Sequence, residues 1–124
     1  MNKKSTLFCD IDGTLLKYRK FETYKTCKAE PIENTINIIN NAYENGHSII
    51  LTTARPEYLR THTLKELNDN NIKFHQLIMS IARGNRIVLN DNEFPSINRT
   101  FAFNLERNKG FSNNDINKIE ILLQ

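Results

Sequence analysis

Residues 7–14 read LFCDIDGT, an apolar run followed by two aspartates that flank one isoleucine. Side chains two residues apart on an extended segment point the same way, so Asp10 and Asp12 can face one site while Ile11 turns into the core. Gly13 lets the backbone turn sharply after the strand. Two carboxylates this close repel each other unless a cation lies between them or one keeps its proton. Both arrangements suit phosphate chemistry, because carboxylate oxygens bind Mg²⁺ and an aspartate can accept a phosphoryl group.

The overall composition is that of an ordinary globular protein. The chain has 124 residues, a length that suits a single domain, residues 1–124, around one core. Hydrophobic residues make up 39% and charged residues 25%, and no apolar run approaches the length of a membrane span. The N-terminus reads MNKK and leads directly into a strand pattern, which predicts a cytoplasmic protein without a secretory signal. Cys9 and Cys27 are too few for a disulfide scaffold, so we expect both to be reduced.

Positive charge is concentrated in residues 17–28. This segment holds five lysines and arginines against one glutamate, and it accounts for the whole excess charge of +3. Because it directly follows the aspartate pair, we predict a basic flap, folded as a hairpin, that attracts an anion at the mouth of the site. Lys17 is the flap residue that we expect to contact the substrate. A solvated loop without this role is the alternative.

Strand patterns alternate with helix patterns along the chain, which predicts a mainly parallel sheet covered by helices on both faces. Helices are expected to begin near Pro31 and Pro56 and after Ser112, which is a suitable N-cap. The predicted fold class is therefore α/β: a three-layer Rossmann-like sandwich with a five-stranded sheet. The predicted strands are Thr6–Asp10, His47–Thr52, Gln76–Met79, Arg86–Leu89 and Thr100–Leu105.

The DIDGT sequence behind an apolar strand resembles the first motif of the haloacid dehalogenase superfamily of phosphohydrolases. The resemblance implies that Asp10 is the nucleophile and that Asp12 is the general acid/base, kept protonated by its neighbours. It also implies that Asp10 and the backbone carbonyl of Asp12 bind Mg²⁺. Neither interval between the motifs has room for a cap domain, so the chain resembles a capless member. An acidic strand-to-turn exit is the alternative interpretation of these residues.

The second predicted strand ends in TTARP, and ligands of open parallel sheets bind at such carboxyl ends. A small hydroxyl there, with free N–H groups at the start of the next helix, can hold a phosphate. The family carries a serine or threonine at this place, for which Thr53 matches best and Thr52 is the fallback. A simple helix cap is the alternative. The residues expected to contact the substrate are Thr52, Arg55, Gly13 and Lys17.

The resemblance implies two further groups at the site. One is a cation that balances the charge of the nucleophile and the phosphate, for which Arg83 is preferred and Arg86 competes. The other is a carboxylate after the next strand, for which Asp91 is the candidate metal ligand. Many relatives have a second acid beside it, where this chain has Asn90, whose carbonyl can still bind a cation.

The expected function is Mg²⁺-dependent hydrolysis of a phosphomonoester through an aspartyl-phosphate, with a small sugar or sugar-acid phosphate as substrate by analogy with capless relatives. In some capless relatives a neighbouring subunit closes the site, so we expect a possible homo-oligomer. We expect no membrane partner. One alternative is a phosphatase for nucleic-acid 3′-phosphates, because Tyr18, Phe21 and Tyr24 interleave with the basic residues of the flap. The other is a non-catalytic phosphate- or metal-binding module.

Overall fold

The computed structural model describes residues 3–124 and contains a three-stranded parallel sheet of order β1-β2-β3. In the register of the sheet, Asp10 at the end of β1 lies beside Thr52 at the end of β2. This confirms the α/β class with a parallel sheet and places the first motif at the carboxyl edge. The first two residues of the N-terminal stretch lie outside the described residues. The strands are β1, Thr6–Asp10; β2, Ser48–Thr52; and β3, Gln76–Ile78.

The three predicted helices form where capping and apolar spacing place them. α1 buries a stripe made by Ile36, Ile39 and Ala42, the spacing that puts side chains on one helix face. α3 begins after Ser112, whose Oγ accepts a hydrogen bond from the Asp115 amide at 3.2 Å, as an N-cap does. A 3₁₀ turn, Glu57–Leu59, precedes α2. The helices are α1, Glu33–Glu44; α2, Arg60–Asp69; and α3, Asn113–Leu122.

The core lies against one face of the sheet. Cys9, Ile49, Leu51 and Leu77 alternate along the strands and join the buried residues of α1 and α2 in one cluster. On the opposite face Phe8 is 61% exposed, so within residues 3–124 the sheet has one well-covered face rather than the predicted two.

The prediction of five strands was wrong. Residues 86–89 and 100–105 form no strand, and Ile87, Val88 and Leu89 are 79%, 59% and 89% exposed. A run of three β-branched or large apolar residues has strand propensity, but propensity alone does not form a strand without a paired neighbour and burial. Ser80, two residues after β3, has a φ of 59°, which is not a strand conformation, and β1 pairs only with β2 among the described residues.

The flap is also not the predicted hairpin. Residues 17–28 contain one short 3₁₀ turn, Phe21–Thr23, and an isolated bridge from Leu16 to Pro31 closes their base.

Both cysteines are free, as expected, with Cys9 buried and Cys27 exposed. No helix within residues 3–124 has the length and apolar character needed to cross a membrane.

A turn near the C-terminus holds the loop that follows β1. The Asn108 amide donates to the Gly13 carbonyl at 2.8 Å, and the Asn108 side chain accepts from the Tyr18 amide at 2.6 Å. Asn34 of α1 donates to the carbonyls of Lys109 and Phe111, each at 3.2 Å. Residues 106–111 therefore connect α1 to the first motif, a role that no motif or spacing in these residues predicts.

Gly110 makes this turn possible, and its replacement tests the connection. Gly110 has a φ of 70°, and a Cβ there would lie 1.9 Å from Asn34 Oδ1. We expect Gly110→Ala to lower the free energy of unfolding by about 2 kcal/mol or more, from left-handed backbone strain and displaced hydrogen bonds. Urea denaturation measures the change. Gly84→Ala is the matched control, because nothing lies within 4 Å of the added Cβ, and an equal loss in both variants would contradict the assignment.

Candidate active site

Asp10 is the last residue of β1, and its carboxylate is partly exposed. Its negative charge is only weakly compensated by the groups around it. Its Oδ2 accepts a hydrogen bond from Thr14 Oγ1 at 3.1 Å, and its Oδ1 lies 3.5 Å from Arg86 Nη2. Burial raises the pKa of the Asp10 carboxyl above its ordinary value, and the charge of Asp12 adds to this; Thr14 and Arg86 oppose it without reversing it. The carboxylate is therefore held in an environment that disfavours its charge, as is typical of residues at functional sites.

Asp12 has the opposite environment. Arg55 binds it in a bidentate manner, with Nε 2.9 Å from Oδ2 and Nη2 2.8 Å from Oδ1. The hydroxyl of Tyr24 donates to Oδ2 at 3.2 Å. Both carboxylate oxygens of Asp12 therefore have partners, and Arg55 fixes the orientation of the carboxylate. The protonated state that the resemblance implies for Asp12 stays a prediction.

Arg55 is the centre of a buried charge network. Its side chain is fully buried, and its Nη1 donates to Glu66 Oε1 at 2.7 Å and to Thr63 Oγ1 at 3.1 Å. Burial acts to lower the pKa of the guanidinium, but hydrogen bonds and charges from Asp12 and Glu66 outweigh it and raise the pKa. Arg55 therefore does not reach out to a substrate, as the sequence predicted, but holds Asp12.

Glu66 of α2 joins a second arginine to this network. Arg19 from the flap lies 2.9 Å from Oε1 and 2.8 Å from Oε2 of Glu66. Burial acts to raise the pKa of Glu66, but hydrogen bonds from Arg19 and Arg55 together with their charges hold it below the ordinary value. The carboxylates of Asp12 and Glu66 thus face two guanidinium groups.

The ring of Tyr24 packs against both arginines. Its centroid lies 4.3 Å from the guanidinium carbon of Arg55 and 5.1 Å from that of Arg19. Burial, followed by the nearby charge of Asp12, raises the pKa of the Tyr24 hydroxyl to about 12. Tyr24 is therefore a neutral donor to Asp12 at physiological pH and not part of an exposed stacking surface.

The two threonines after β2 are in different environments. Thr53, the preferred phosphate ligand, is buried, and its Oγ1 accepts from the Arg55 amide at 3.1 Å. Thr52 lies beside Asp10 in the sheet register and is half-buried. Thr52 is therefore the threonine beside Asp10, while the Thr53 hydroxyl bonds to the backbone turn that leads to Arg55.

Asp91 is not brought to the first motif. It is exposed, and its carboxylate and carbonyl bind Arg99, whose charge lowers the pKa of the Asp91 carboxyl. Its neighbour Asn90 is exposed too. Among residues 3–124 no group of three or more histidine, cysteine, aspartate or glutamate side chains is arranged to hold a metal ion. The predicted Mg²⁺ set of Asp10, Asp12 and Asp91 is therefore not assembled, because the strand that was to carry Asp91 does not form.

The remaining predicted residues are Arg83, Arg86, Lys17 and Gly13. Arg86, the competing candidate, is the arginine that approaches Asp10, whereas Arg83 is exposed and makes no hydrogen bond or ion pair within the described part of the chain. Lys17 is exposed and pairs with Glu30 at 3.3 Å. The amide and carbonyl of Gly13 already bond to protein atoms, so neither is free for a substrate.

Sequence reasoning missed the residues that act behind the first motif. The sequence pattern places Arg19 and Tyr24 only in the basic flap, and it does not single out Glu66. Their spacing carries no signal, because they meet only when the flap folds over α2.

Comparisons with known proteins agree with this fold. A chain of the solved Pnkp1/Rnl/Hen1 complex matches with 21% identity and a TM-score of 0.56, over 67% of this chain and 30% of that one. An MCSG target protein from Vibrio cholerae matches with 17% identity and a TM-score of 0.51, over 76% of this chain and 89% of that one. At these identities the two likenesses show the fold alone. The chain thus corresponds to less than a third of the first of these structures.

A comparison with curated proteins found no match. The family model for haloacid dehalogenase-like hydrolases matches residues 7–119, which include the first motif, the β2 terminus and the turn at residues 106–111. Because this match spans nearly all of the chain, the protein belongs to the haloacid dehalogenase-like hydrolase family.

Proposed function

We propose that this protein hydrolyses phosphomonoesters through a phosphoryl group carried on Asp10. The observation that supports this best is the contrast between two neighbouring carboxylates. Asp10 is partly exposed and its charge is disfavoured, while Asp12 is held by Arg55 and Tyr24. Two carboxylates in different environments can take different roles in one reaction.

In the first step Asp10 Oδ1 attacks phosphorus. Thr14 fixes Oδ2, which leaves Oδ1 on the side of Arg86. A bond forms between Oδ1 and phosphorus, the bond from phosphorus to the leaving oxygen breaks, and that oxygen departs with the electron pair and takes the proton of the Asp12 carboxyl, which acts as general acid. Arg86 and the hydroxyl of Thr52, both near Asp10, would balance charge on the phosphoryl oxygens.

In the second step water releases the phosphate. The carboxylate of Asp12, which keeps 12% of its side-chain surface exposed, takes a proton from a water molecule as general base. The water oxygen attacks phosphorus, the bond from phosphorus to Asp10 breaks, and the Asp10 carboxylate is regenerated with inorganic phosphate. The orientation of Asp12 by Arg55 is what makes this proton transfer efficient.

Mg²⁺ dependence is part of the proposal because of the family relationship. When bound, the ion would neutralise charge on the phosphate. Asp10, whose side chain is 39% exposed, would hold the ion in the described arrangement, and neither step above is routed through the ion. We further propose a cytoplasmic enzyme without a membrane partner. Its substrate would be a small sugar or sugar-acid phosphate, and a second copy of the chain would close the open site.

Replacing the nucleophile separates its chemistry from its effect on folding. We expect Asp10→Asn to abolish phosphate release from p-nitrophenyl phosphate, since an amide cannot form the intermediate.

The raised pKa of Asp10 means that folding disfavours its charge, so its contribution to stability is present below about pH 4 and is lost as the pH rises through the folded-state pKa. Asp10→Asn should therefore raise the free energy of unfolding at pH 7 by up to about 1 kcal/mol, a bound kept small because the side chain is partly solvated.

The measurements are phosphate release with Mg²⁺ or with EDTA, and urea denaturation at pH 7 and pH 3. The gain in stability should disappear at pH 3, where the wild-type carboxyl is protonated. Turnover in Asp10→Asn equal to wild type would contradict the mechanism. A wild-type protein that binds phosphate esters without hydrolysing them would favour the non-catalytic alternative.

A second candidate is a phosphatase for nucleic-acid 3′-phosphates, which an exposed aromatic pair favours. Phe21 and Tyr58 are 40% and 72% exposed and meet edge to face, with centroids 6.4 Å apart. Phe21 also contacts Tyr24, which bonds to Asp12, so the pair lies close to the site. Three flap lysines make no ion pair within residues 3–124: Lys20, Lys25 and Lys28.

Removal of the aromatic pair tests this candidate. If bases stack on it, the double variant Phe21→Ala/Tyr58→Ala should lower kcat/KM for a single-stranded oligonucleotide 3′-phosphate by about tenfold or more. It should leave p-nitrophenyl phosphate turnover unchanged. Phe101→Ala is the control, because Phe101 is an exposed aromatic at 56% in a segment outside the proposed surface. Equal effects on both substrates would exclude base stacking there.

A further inference from the structure

We infer that Glu66 is a positioning residue for Asp12, acting through Arg55, and that it couples the flap to the second step of the reaction. The inference depends on the proposed function for its kinetic consequence, but not for its structural one. Glu66 itself touches neither Asp10 nor Asp12; its contacts are with the two arginines, and His62 lies 3.5 Å away.

The geometry of Arg55 leaves little freedom once Glu66 is in place. Asp12 binds the Nε and Nη2 side of the guanidinium, while Glu66 and Thr63 bind Nη1. A planar guanidinium held by carboxylates on two sides is fixed in orientation as well as in place. Without Glu66, the guanidinium would keep one carboxylate partner and could rotate about it.

Burial makes this contact stronger than a surface pair. The side chains of Arg55, Glu66 and Arg19 are 0%, 9% and 9% exposed. Removal of one partner from a buried ion pair leaves an uncompensated charge, which the remaining groups must move to satisfy. The group free to move is Asp12, because it lies on the loop after β1 and is partly open to solvent.

Arg19 extends the coupling into the flap. Its Nη1 donates to the backbone carbonyls of Cys27 and Tyr24 at 2.7 and 3.3 Å, and its Nη1 and Nη2 both bind Glu66. The ends of the flap are thereby attached to α2 through one carboxylate. A change in the flap reaches Asp12 by two short routes: Tyr24 directly, and Arg19 through Glu66 and Arg55.

A positioning role has a distinct kinetic signature. Asp12 acts as base when the aspartyl-phosphate breaks down, a step that follows loss of the leaving group. For p-nitrophenyl phosphate, whose leaving group needs no acid, Glu66→Gln should lower kcat by about tenfold or more and lower KM in proportion. kcat/KM should change less than about threefold, because it reports only the first step. The aspartyl-phosphate should accumulate in acid-quenched samples.

Glu57→Gln is the matched control. Glu57 precedes α2 and binds Arg60 at 2.8 Å in an exposed pair, without a link to Asp12. Its variant should match wild type in every parameter. A general loss of folded protein in Glu66→Gln would lower kcat and kcat/KM together with KM unchanged, and that result would overturn the inference. If Glu66→Gln does not fold, Arg19→Gln is judged by the same parameters.

A second readout does not require activity. Hydrogen exchange of the Arg55 Nε–H, followed by NMR and assigned with Arg55→Lys, reports how firmly this group is held against Asp12. We expect exchange in Glu66→Gln to be at least tenfold faster than in wild type and in Glu57→Gln. If the protein hydrolyses no phosphate ester but exchange accelerates, the proposed function fails and the positioning role stands. Unchanged exchange would overturn the inference.

Discussion

The buried guanidinium of Arg55 is the group on which the arrangement of the site depends. A fully buried arginine is costly unless its charge and its N–H groups are satisfied. Here Asp12 from the loop after β1, together with Thr63 and Glu66 from α2, supply that compensation. The requirement fixes the β1 loop, the β2 terminus and α2 relative to one another. It thereby sets the position of Asp12.

The same network explains why two carboxylates two residues apart behave differently. Asp12 turns toward the arginine and Tyr24, so its charge is compensated. Asp10 remains at the strand end with Thr14 and a more distant Arg86, and its pKa is raised. At the end of β1, Asp10 thus has a carboxylate whose charge is weakly compensated and which a substrate could reach. Beside it, the carboxylate of Asp12 is firmly held. Neither environment follows from the motif alone; both require the packing of α2 and the flap.

The first strand, the three helices and the aspartate pair could be predicted from the sequence because their signals are local. Apolar spacing, the Ser112 cap and the turn at Gly13 depend on near neighbours. Arg55 could not be placed, since an arginine after a strand can point outward to a ligand or inward to a carboxylate, and only the position of Glu66 in α2 decides. Asp91 was misplaced for a related reason. Its predicted location required the run at residues 87–89 to pair with a strand, and local propensity cannot supply that partner.

The two arginines near the aspartates differ in how firmly they are held, and this difference has a chemical consequence. Arg86 lies 3.5 Å from Asp10, and both side chains are about two-fifths exposed; such a pair contributes little to stability and is easily rearranged. Arg55 is buried and bound at four points. A phosphate that enters at Asp10 can therefore draw Arg86 toward itself without disturbing the fold, while the orientation of Asp12 is maintained. The loosely held cation lies beside Asp10, the proposed nucleophile, where charge would change most during phosphoryl transfer, and the firmly held cation lies beside Asp12, the proposed base, where orientation would matter most.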